Sequence, residues 1–152
     1  MPGKFSGNGS AASGTDKTIL TLISAATIRP KISEFVIGSV AAPADTAAKL
    51  HVARFTAVGT EGSGFAPIAI DPAYATLALA DYGVGVFSVE PTYTASAILA
   101  VVSMNQRITF RWVAQPGYEL IAPATAASGT GFKTSSVSSG TAAYEITCFH
   151  EE

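Results

Sequence analysis

Apolar side chains recur at every second position along several short segments, and this alternation limits the fold more than any other property. Two segments show it most clearly: Ile108, Phe110, Trp112 and Ala114, and then Tyr144, Ile146 and Cys148. Residues two apart on a strand share one face of a sheet. We therefore predict an all-β fold in which both sets are buried, with Thr109 and Arg111 on the opposite face.

The spacing of such segments predicts two sheets packed face to face. Eight segments read as strands and are separated by Gly, Pro and other turn residues: Thr18–Ile23, Lys31–Val40, Lys49–Val58, Gly85–Val89, Ala97–Met104, Ile108–Ala114, Glu119–Ile121 and Ala143–Phe149. Short strands at this spacing are typical of a sandwich or barrel. Residues 98–102 are apolar at successive positions, which predicts a strand covered on both faces, one of them by another subunit.

Four stretches depart from the strand pattern, and three of them lie within the body of the chain. Asp71 suits a helix N-cap, Pro72 the first helical position and Gly83 the C′ position, so we predict one short helix over 72–81. Residues 59–64 and 126–140 are rich in Gly, Ser and Thr and read as loops.

Residues 1–16 also depart from the strand pattern, and we interpret them as a flexible N-terminal arm. Gly and Ser dominate this stretch, and Phe5 is its only large apolar residue. Ordering such a segment costs conformational entropy, so it is either a loose terminus or an arm that orders on a neighbouring subunit through Phe5. This leaves 17–152 as a single β-sandwich domain, within the usual size of one domain.

Composition excludes several classes of partner. The 152 residues include only 9 Lys and Arg against 11 Asp and Glu, with a net charge of −2 and no basic run. A nucleic-acid partner is therefore not expected, because duplex binding needs a basic stripe. The longest apolar run is far shorter than the roughly 20 residues that span a bilayer, and residues 1–16 lack the apolar core of a signal peptide. A surface so poor in charge is suited to being covered by a partner.

Motifs that would carry catalysis, metal binding or cofactor binding are absent from the sequence. Residues 131–134 lack the ending of a phosphate-binding loop, and residues 62–64 lack the flanking glycines of a nucleophile elbow. Cys148 and His150, with His51, would form a thiol–imidazole pair or metal site if they met. The simpler reading places Cys148 in the core and His150 at a solvated end. We therefore predict no catalytic residue, no metal ligand, no cofactor and no enzyme.

Arg107 and Arg111 are the charged residues of most interest. On one strand they would share a face but lie roughly 13–14 Å apart, too far to hold one carboxylate together. Each is then expected to pair separately, with Glu90, with Glu119 or with an acid across a subunit interface. Surface ion pairs and interface contacts are both consistent with this pattern, since interfaces are enriched in Arg.

Several segments resemble a family of small virion proteins of tailed bacteriophages. The resemblance covers about residues 30–150 and is carried by Val89-Glu90-Pro91-Thr92-Tyr93-Thr94, by Asn105 to Ala114, by Pro116-Gly117, Glu119-Leu120 and Pro123 to Ala126, and by Ile37-Gly38-Ser39 and Pro43-Ala44-Asp45. It implies a capsid decoration (cement) protein on the virion surface. It also implies a jelly-roll-like β-sandwich that assembles as a homotrimer on the major capsid protein of the phage head. Jelly rolls recur in viral capsid proteins.

A second class of function remains open on the residues alone. A ligand- or carbohydrate-binding β-sandwich on a virion, in a tail or head fibre, would present exposed aromatic rings. Tyr74, Tyr82, Tyr93 and Tyr118 lie in or beside predicted loops and would supply them.

Overall fold

The computed structural model describes residues 3–12, 17–73, 78–135 and 142–152, and it is all-β. The strands are β1 (Lys4–Ala12), β2 (Lys17–Ile23), β3 (Lys31–Ala41), β4 (Ala47–Ala57), β5 (Ser63–Phe65), β6 (Ile68–Ala69), β7 (Asp81–Val84), β8 (Thr92–Asn105), β9 (Phe110–Val113), β10 (Leu120–Ile121), β11 (Gly129–Ser135) and β12 (Ala143–Glu151). No helix occurs among the described residues.

Two antiparallel six-stranded sheets make up the fold. The first has the order β10-β3-β12-β1-β6, and β9 pairs with β3 on the same side as β10. The second has the order β5-β7-β2-β11-β4-β8. The sheets face each other, as is typical of a β-sandwich. This confirms the prediction of an all-β fold with two packed sheets.

Aromatic rings mark where the two sheets meet. Phe35 on β3 and Phe132 on β11 are both fully buried, and their ring centroids lie 5.2 Å apart in an edge-to-face arrangement. The predicted core positions on β12 are confirmed, because three of its side chains are at most 1% exposed: Tyr144, Ile146 and Cys148.

The predicted burial of the β9 segment is only partly correct. Phe110 and Trp112 are partly buried, and Trp112 stacks on Phe35 with centroids 5.3 Å apart. Ile108 lies outside the strand and is 48% exposed. The strand is short and lies at the edge of its sheet, so the core covers only part of its inward face.

The expectation of a flexible arm over residues 1–16 is wrong for Lys4–Ala12. This segment is β1, which pairs along its whole length with β12 and at its start with β6. Its buried residues alternate with outward polar ones, and two of the buried positions are Gly7 and Gly9. A Cβ at Gly7 would lie closer than 3.0 Å to the ring of Tyr82. The sandwich therefore includes residues before position 17, while residues 1–2 and 13–16 lie outside the described part.

The predicted helix over 72–81 is also wrong where the structure describes it. Asp71 accepts a hydrogen bond from the backbone N–H of Ala73 at 2.9 Å, as an N-cap would, but residues 71–73 form a turn. Gly83 lies in β7 opposite Thr21, and the left-handed conformation occurs at Gly85 instead, with φ at +85°. Residues 74–77 lie outside the described part.

Two predicted loops contain strands, and one predicted strand is absent. β11 lies within the segment 126–140 and pairs with both β2 and β4 at the centre of the second sheet, while β5 begins within 59–64. Residues 85–88 are not a strand, and Val89 forms only an isolated bridge to Thr60. The other seven predicted strands each overlap an observed one.

Candidate interaction surface

The three residues singled out as interface candidates lie in different environments. Phe5 is 2% exposed and stacks on the ring of His150 within its own domain, so it is not available to a neighbouring subunit. Arg107 is exposed in the turn between β8 and β9, where its backbone N–H donates to Asn105 Oδ1. Arg111 is exposed on β9. The structure does not bring the three together.

Arg111 pairs with a residue that the sequence did not indicate. Its Nε donates to Glu34 Oε1 at 2.6 Å, across the β3–β9 pair. This hydrogen bond and the charge of Glu34 raise the pKa of Arg111. Glu90 instead pairs with Lys17, and Glu119 accepts from the backbone N–H of Gly117.

Strand β8 presents the longest edge of either sheet. It spans 14 residues at the end of the second sheet and pairs only with β4 in the described part of the chain. Ala100, Val102 and Met104 face the core, whereas Ile98 and Val101 are 46% and 52% exposed. The chain itself covers only the inward face of β8, and the predicted cover of the outward face by another subunit stays a prediction.

The start of β8 crosses the outer face of the second sheet. The hydroxyl of Tyr93 lies 2.9 Å from that of Thr18, and its ring lies under Lys133 Nζ at 4.9 Å. Burial raises the pKa of Tyr93. The carboxylate of Glu90 accepts from the backbone N–H of Thr18. A Cβ at Gly131 would collide with the Tyr93 ring. The Val89–Thr94 motif therefore holds β8 against the sheet.

Cys148, His150 and His51 do not form a common site. Cys148 and His150 lie on β12 in the first sheet, whereas His51 lies on β4 in the second. Burial raises the pKa of the Cys148 thiol to about 12, so the thiol stays protonated at neutral pH. Within the described ranges, no group of three or more His, Cys, Asp and Glu is placed to hold a metal ion.

His150 is 1% exposed, so its predicted place at a solvated end is wrong. Its Nε2 lies 3.2 Å from Glu152 Oε1, and its Nδ1 lies 2.8 Å from the hydroxyl of Tyr82. A carboxylate only accepts, so Nε2 carries the proton that points to Glu152. The Tyr82 hydroxyl also donates to the carbonyl oxygen of Cys148 at 3.3 Å. Glu152 also accepts from the backbone N–H groups of Leu79 and Ala80 at 2.7 and 2.9 Å. This buried chain fastens β12 to the start of β7.

Glu152→Gln should destabilise the fold at pH 7 and not at low pH. Burial opposes ionisation of Glu152, but the hydrogen bonds from His150, Leu79 and Ala80 outweigh it and lower its pKa. The ionised form therefore stabilises the fold above the ordinary pKa of about 4.3, and this stability is lost as the pH falls through the lowered value. We expect a loss of about 1–3 kcal/mol at pH 7, measured by urea unfolding.

The neighbouring variant Glu151→Gln provides the control for this measurement. Glu151 forms a partly exposed ion pair with Lys4 at 3.4 Å, so its replacement should cost at most about 1 kcal/mol. Equal losses for the two variants, or a Glu152→Gln loss that persists at pH 3, would contradict the role assigned to Glu152.

The tyrosines expected to form a ligand-binding patch are mostly engaged elsewhere. Tyr82 is fully buried and Tyr93 packs on the sheet, whereas Tyr118 is 74% exposed at the turn before β10. Tyr74 lies outside the described residues. A pocket of 260 Å³ opens beside β4 and β8, lined by Phe55, Ala97, Pro123 and Thr125. Arg54 at its rim donates to the carbonyl of Ile121.

Sequence reasoning identified the apolar stretch of β8 but not its place at a sheet edge. No helix in the described part of the chain is long and apolar enough to cross a membrane.

No family model, curated protein or solved structure matches the chain.

Proposed function

We propose that this chain is a non-enzymatic virion protein, a capsid decoration or cement protein of a phage head. In this proposal a jelly-roll β-sandwich assembles as a homotrimer and binds the major capsid protein on the capsid surface. The observation that carries the proposal is the long open edge of β8, with apolar side chains exposed on a chain that has few charges. Long apolar edges are sites of association.

The strand order supports the jelly-roll part of the proposal. In a jelly roll of eight strands, strand 1 pairs with strand 8, strand 2 with 7, strand 3 with 6 and strand 4 with 5. These four antiparallel pairs form two sheets with the orders 1-8-3-6 and 2-7-4-5. If β1, β2, β3, β4, β8, β9, β11 and β12 are counted from one to eight, the observed orders β1-β12-β3-β9 and β2-β11-β4-β8 follow this scheme. The short strands β5, β6 and β7 then belong to an insertion between the fourth and fifth strands.

Solution mass tests the assembly part of the proposal. We expect light scattering at micromolar concentration to give three times the chain mass of 15.5 kDa. Val101→Asp should give the monomer, because a carboxylate at a covered apolar contact is desolvated without a partner. Thr147→Asp, on the open face of β12, is the control and should leave the mass unchanged. A wild-type monomer would contradict the proposed assembly.

Attachment to the shell tests the proposed role itself. Purified protein should co-sediment with particles of the virus that encodes it when those particles lack the chain. Repeated weak contacts on a symmetric shell give strong overall attachment through effective concentration. No co-sedimentation would overturn the proposal.

A ligand-binding sandwich on a virion is the second candidate, favoured by the pocket beside Phe55 and by exposed Tyr118. A glycan titration monitored by tyrosine fluorescence would support it if binding saturates and is lost in Tyr118→Ala.

A further inference from the structure

The segment between β4 and β8 differs in charge from the rest of the chain. Residues 58–91 contain Glu61, Asp71, Asp81 and Glu90 but no Lys or Arg, a net charge of −4. The whole chain carries −2, so the remaining residues carry +2. This segment, the insertion, therefore has the opposite sign to the domain that holds it.

The insertion covers one lateral side of the sandwich. It adds β6 to the β1 edge of the first sheet, and β7 and β5 to the β2 edge of the second. These two edges lie on the same side, because β1 contacts both β2 and β7. Five of its large apolar side chains are more than half exposed: Ile68, Ile70, Leu79, Val86 and Val89. We call this the insertion side.

All four acids of the insertion reach the surface: Asp71 and Asp81 are exposed, and Glu61 and Glu90 are partly buried. Asp81 is exposed on β7, and its charge contributes to the raised pKa of Glu61, although burial contributes more. Glu90, Lys17, Lys4 and Glu151 are already used in ion pairs within the chain. The net field of the insertion side is therefore negative around exposed apolar groups.

The opposite lateral side, the β8–β9 side, has the complementary character. It is bounded by β8 of the second sheet and β9 of the first, which are joined by only residues 106–109. Exposed large apolar side chains occur on each element that bounds it: Ile98 and Val101 on the outward face of β8, Ile108 in the turn, and Val113 on the outward face of β9. Lys49 on β4 beside β8, Arg107 and Arg111 are exposed on or next to it. Two acids lie among them, because Glu34 pairs with Arg111 and Asp45 accepts a hydrogen bond from Asn105 at the end of β8, so these five residues carry a net charge of +1.

We infer that the insertion side of one copy binds the β8–β9 side of the next copy, head to tail. The apolar groups supply the contact, and the negative insertion meets the positive edge, which fixes the orientation. Because the two surfaces differ, the contact is heterologous and closes into a ring when the rotation permits. The inference rests on the proposed homotrimer and adds the surfaces that form it.

Complementation between variants tests the inference. Val86→Asp damages only the insertion side, and Val101→Asp damages only the β8–β9 side, so each alone should be monomeric. An equimolar mixture retains one intact contact, between the insertion side of Val101→Asp and the β8–β9 side of Val86→Asp. Light scattering of the mixture at high concentration should therefore show a species of two chains. A mixture that stays monomeric would overturn the inference. A Val86→Asp variant that alone assembles to the same mass as the wild type would also overturn it.

Charge reversal tests the pairing of signs. Asp81→Lys and Arg107→Glu should each weaken assembly about tenfold or more at low salt, because each places like charges together. The double variant should recover most of the loss. Glu145→Lys on β12 and Arg29→Glu in the loop after β2 are matched reversals away from both sides and should have no effect.

The outcomes separate this inference from the function on which it rests. A wild-type monomer at all concentrations overturns both the homotrimer and its interface. A wild-type trimer that is indifferent to Asp81→Lys, Arg107→Glu and Val86→Asp overturns the head-to-tail contact alone and leaves the decoration role in place. Loss of assembly in both single reversals, with recovery in the double variant, supports the contact.

Discussion

Phe35→Ala should cost the protein about 3–5 kcal/mol of folding stability. Phe35 is fully buried and contacts three other aromatic rings, those of Phe110, Trp112 and Phe132. Its contact with Phe132 joins the two sheets, so the substitution leaves a cavity between them that the β framework cannot close. Urea unfolding followed by tryptophan fluorescence measures the loss at a fixed protein concentration, because assembly also shifts apparent stability.

Val36→Ala provides the comparison on the same strand. Val36 is opposite Thr147 and Arg111 on the outward face and is only partly buried. Its truncation should cost less than about 1.5 kcal/mol. A Phe35→Ala loss no larger than that of Val36→Ala would contradict the placement of the core.

Gly7→Ala should be the second most damaging single substitution. A glycine replaced by alanine in an ordinary strand gains about 0.4–1 kcal/mol through the unfolded chain. At Gly7 the added methyl group instead meets the buried ring of Tyr82, whose hydroxyl is fixed by Cys148 and His150. The ring has no room to move, so we expect a net loss of about 1–3 kcal/mol. Thermal unfolding by circular dichroism measures it.

Ser10→Ala on the same strand is the control, because Ser10 faces outward. Its effect should be within about 0.5 kcal/mol. A Gly7→Ala variant as stable as the wild type, or more stable, would contradict the placement of residues 4–12 in a central strand. It would favour the prediction that these residues form a flexible arm.

The strands that could not be predicted from the sequence, β1 and β11, were missed for one physical reason. Gly7 in β1 lies against Tyr82, and Gly129 and Gly131 in β11 lie against Leu22, Phe55 and Tyr93. Each glycine permits a close approach by a residue far away in the chain. In the sequence, a glycine indicates a flexible segment. The side chain that needs the space left by the missing Cβ comes close to the glycine only when the chain folds.

The strands that were predictable are those whose own side chains fill the core. β4 and β12 carry apolar residues at alternate positions over most of their length, and β3 carries a dense run of large apolar residues from Phe35 to Ile37, which are local signals. The helix prediction failed for a related reason. The turn at Asp71 has the chemistry of a helix start, but Tyr82 points between the sheets and its strand pairs with β2.

The sequence predicted which residues belong to the candidate surface, but it did not predict where they lie in the fold or which residues they contact. The sequence identified Arg107, Arg111 and the apolar stretch of β8, but the partner of Arg111 depends on the pairing of β3 with β9. The burial of His150 depends on the packing of Phe5 and Tyr82 around it. Both are consequences of topology, which alternation along one segment does not encode.

The disruption temperature of viral particles tests the cement role most directly. Particles with the chain, and particles of the same virus lacking it, are heated while genome release is followed with a nucleic-acid dye. The account predicts that particles without the chain release their genome at a lower temperature, and that added wild-type protein restores the difference while Val101→Asp does not. Equal disruption temperatures for the two kinds of particle would contradict it.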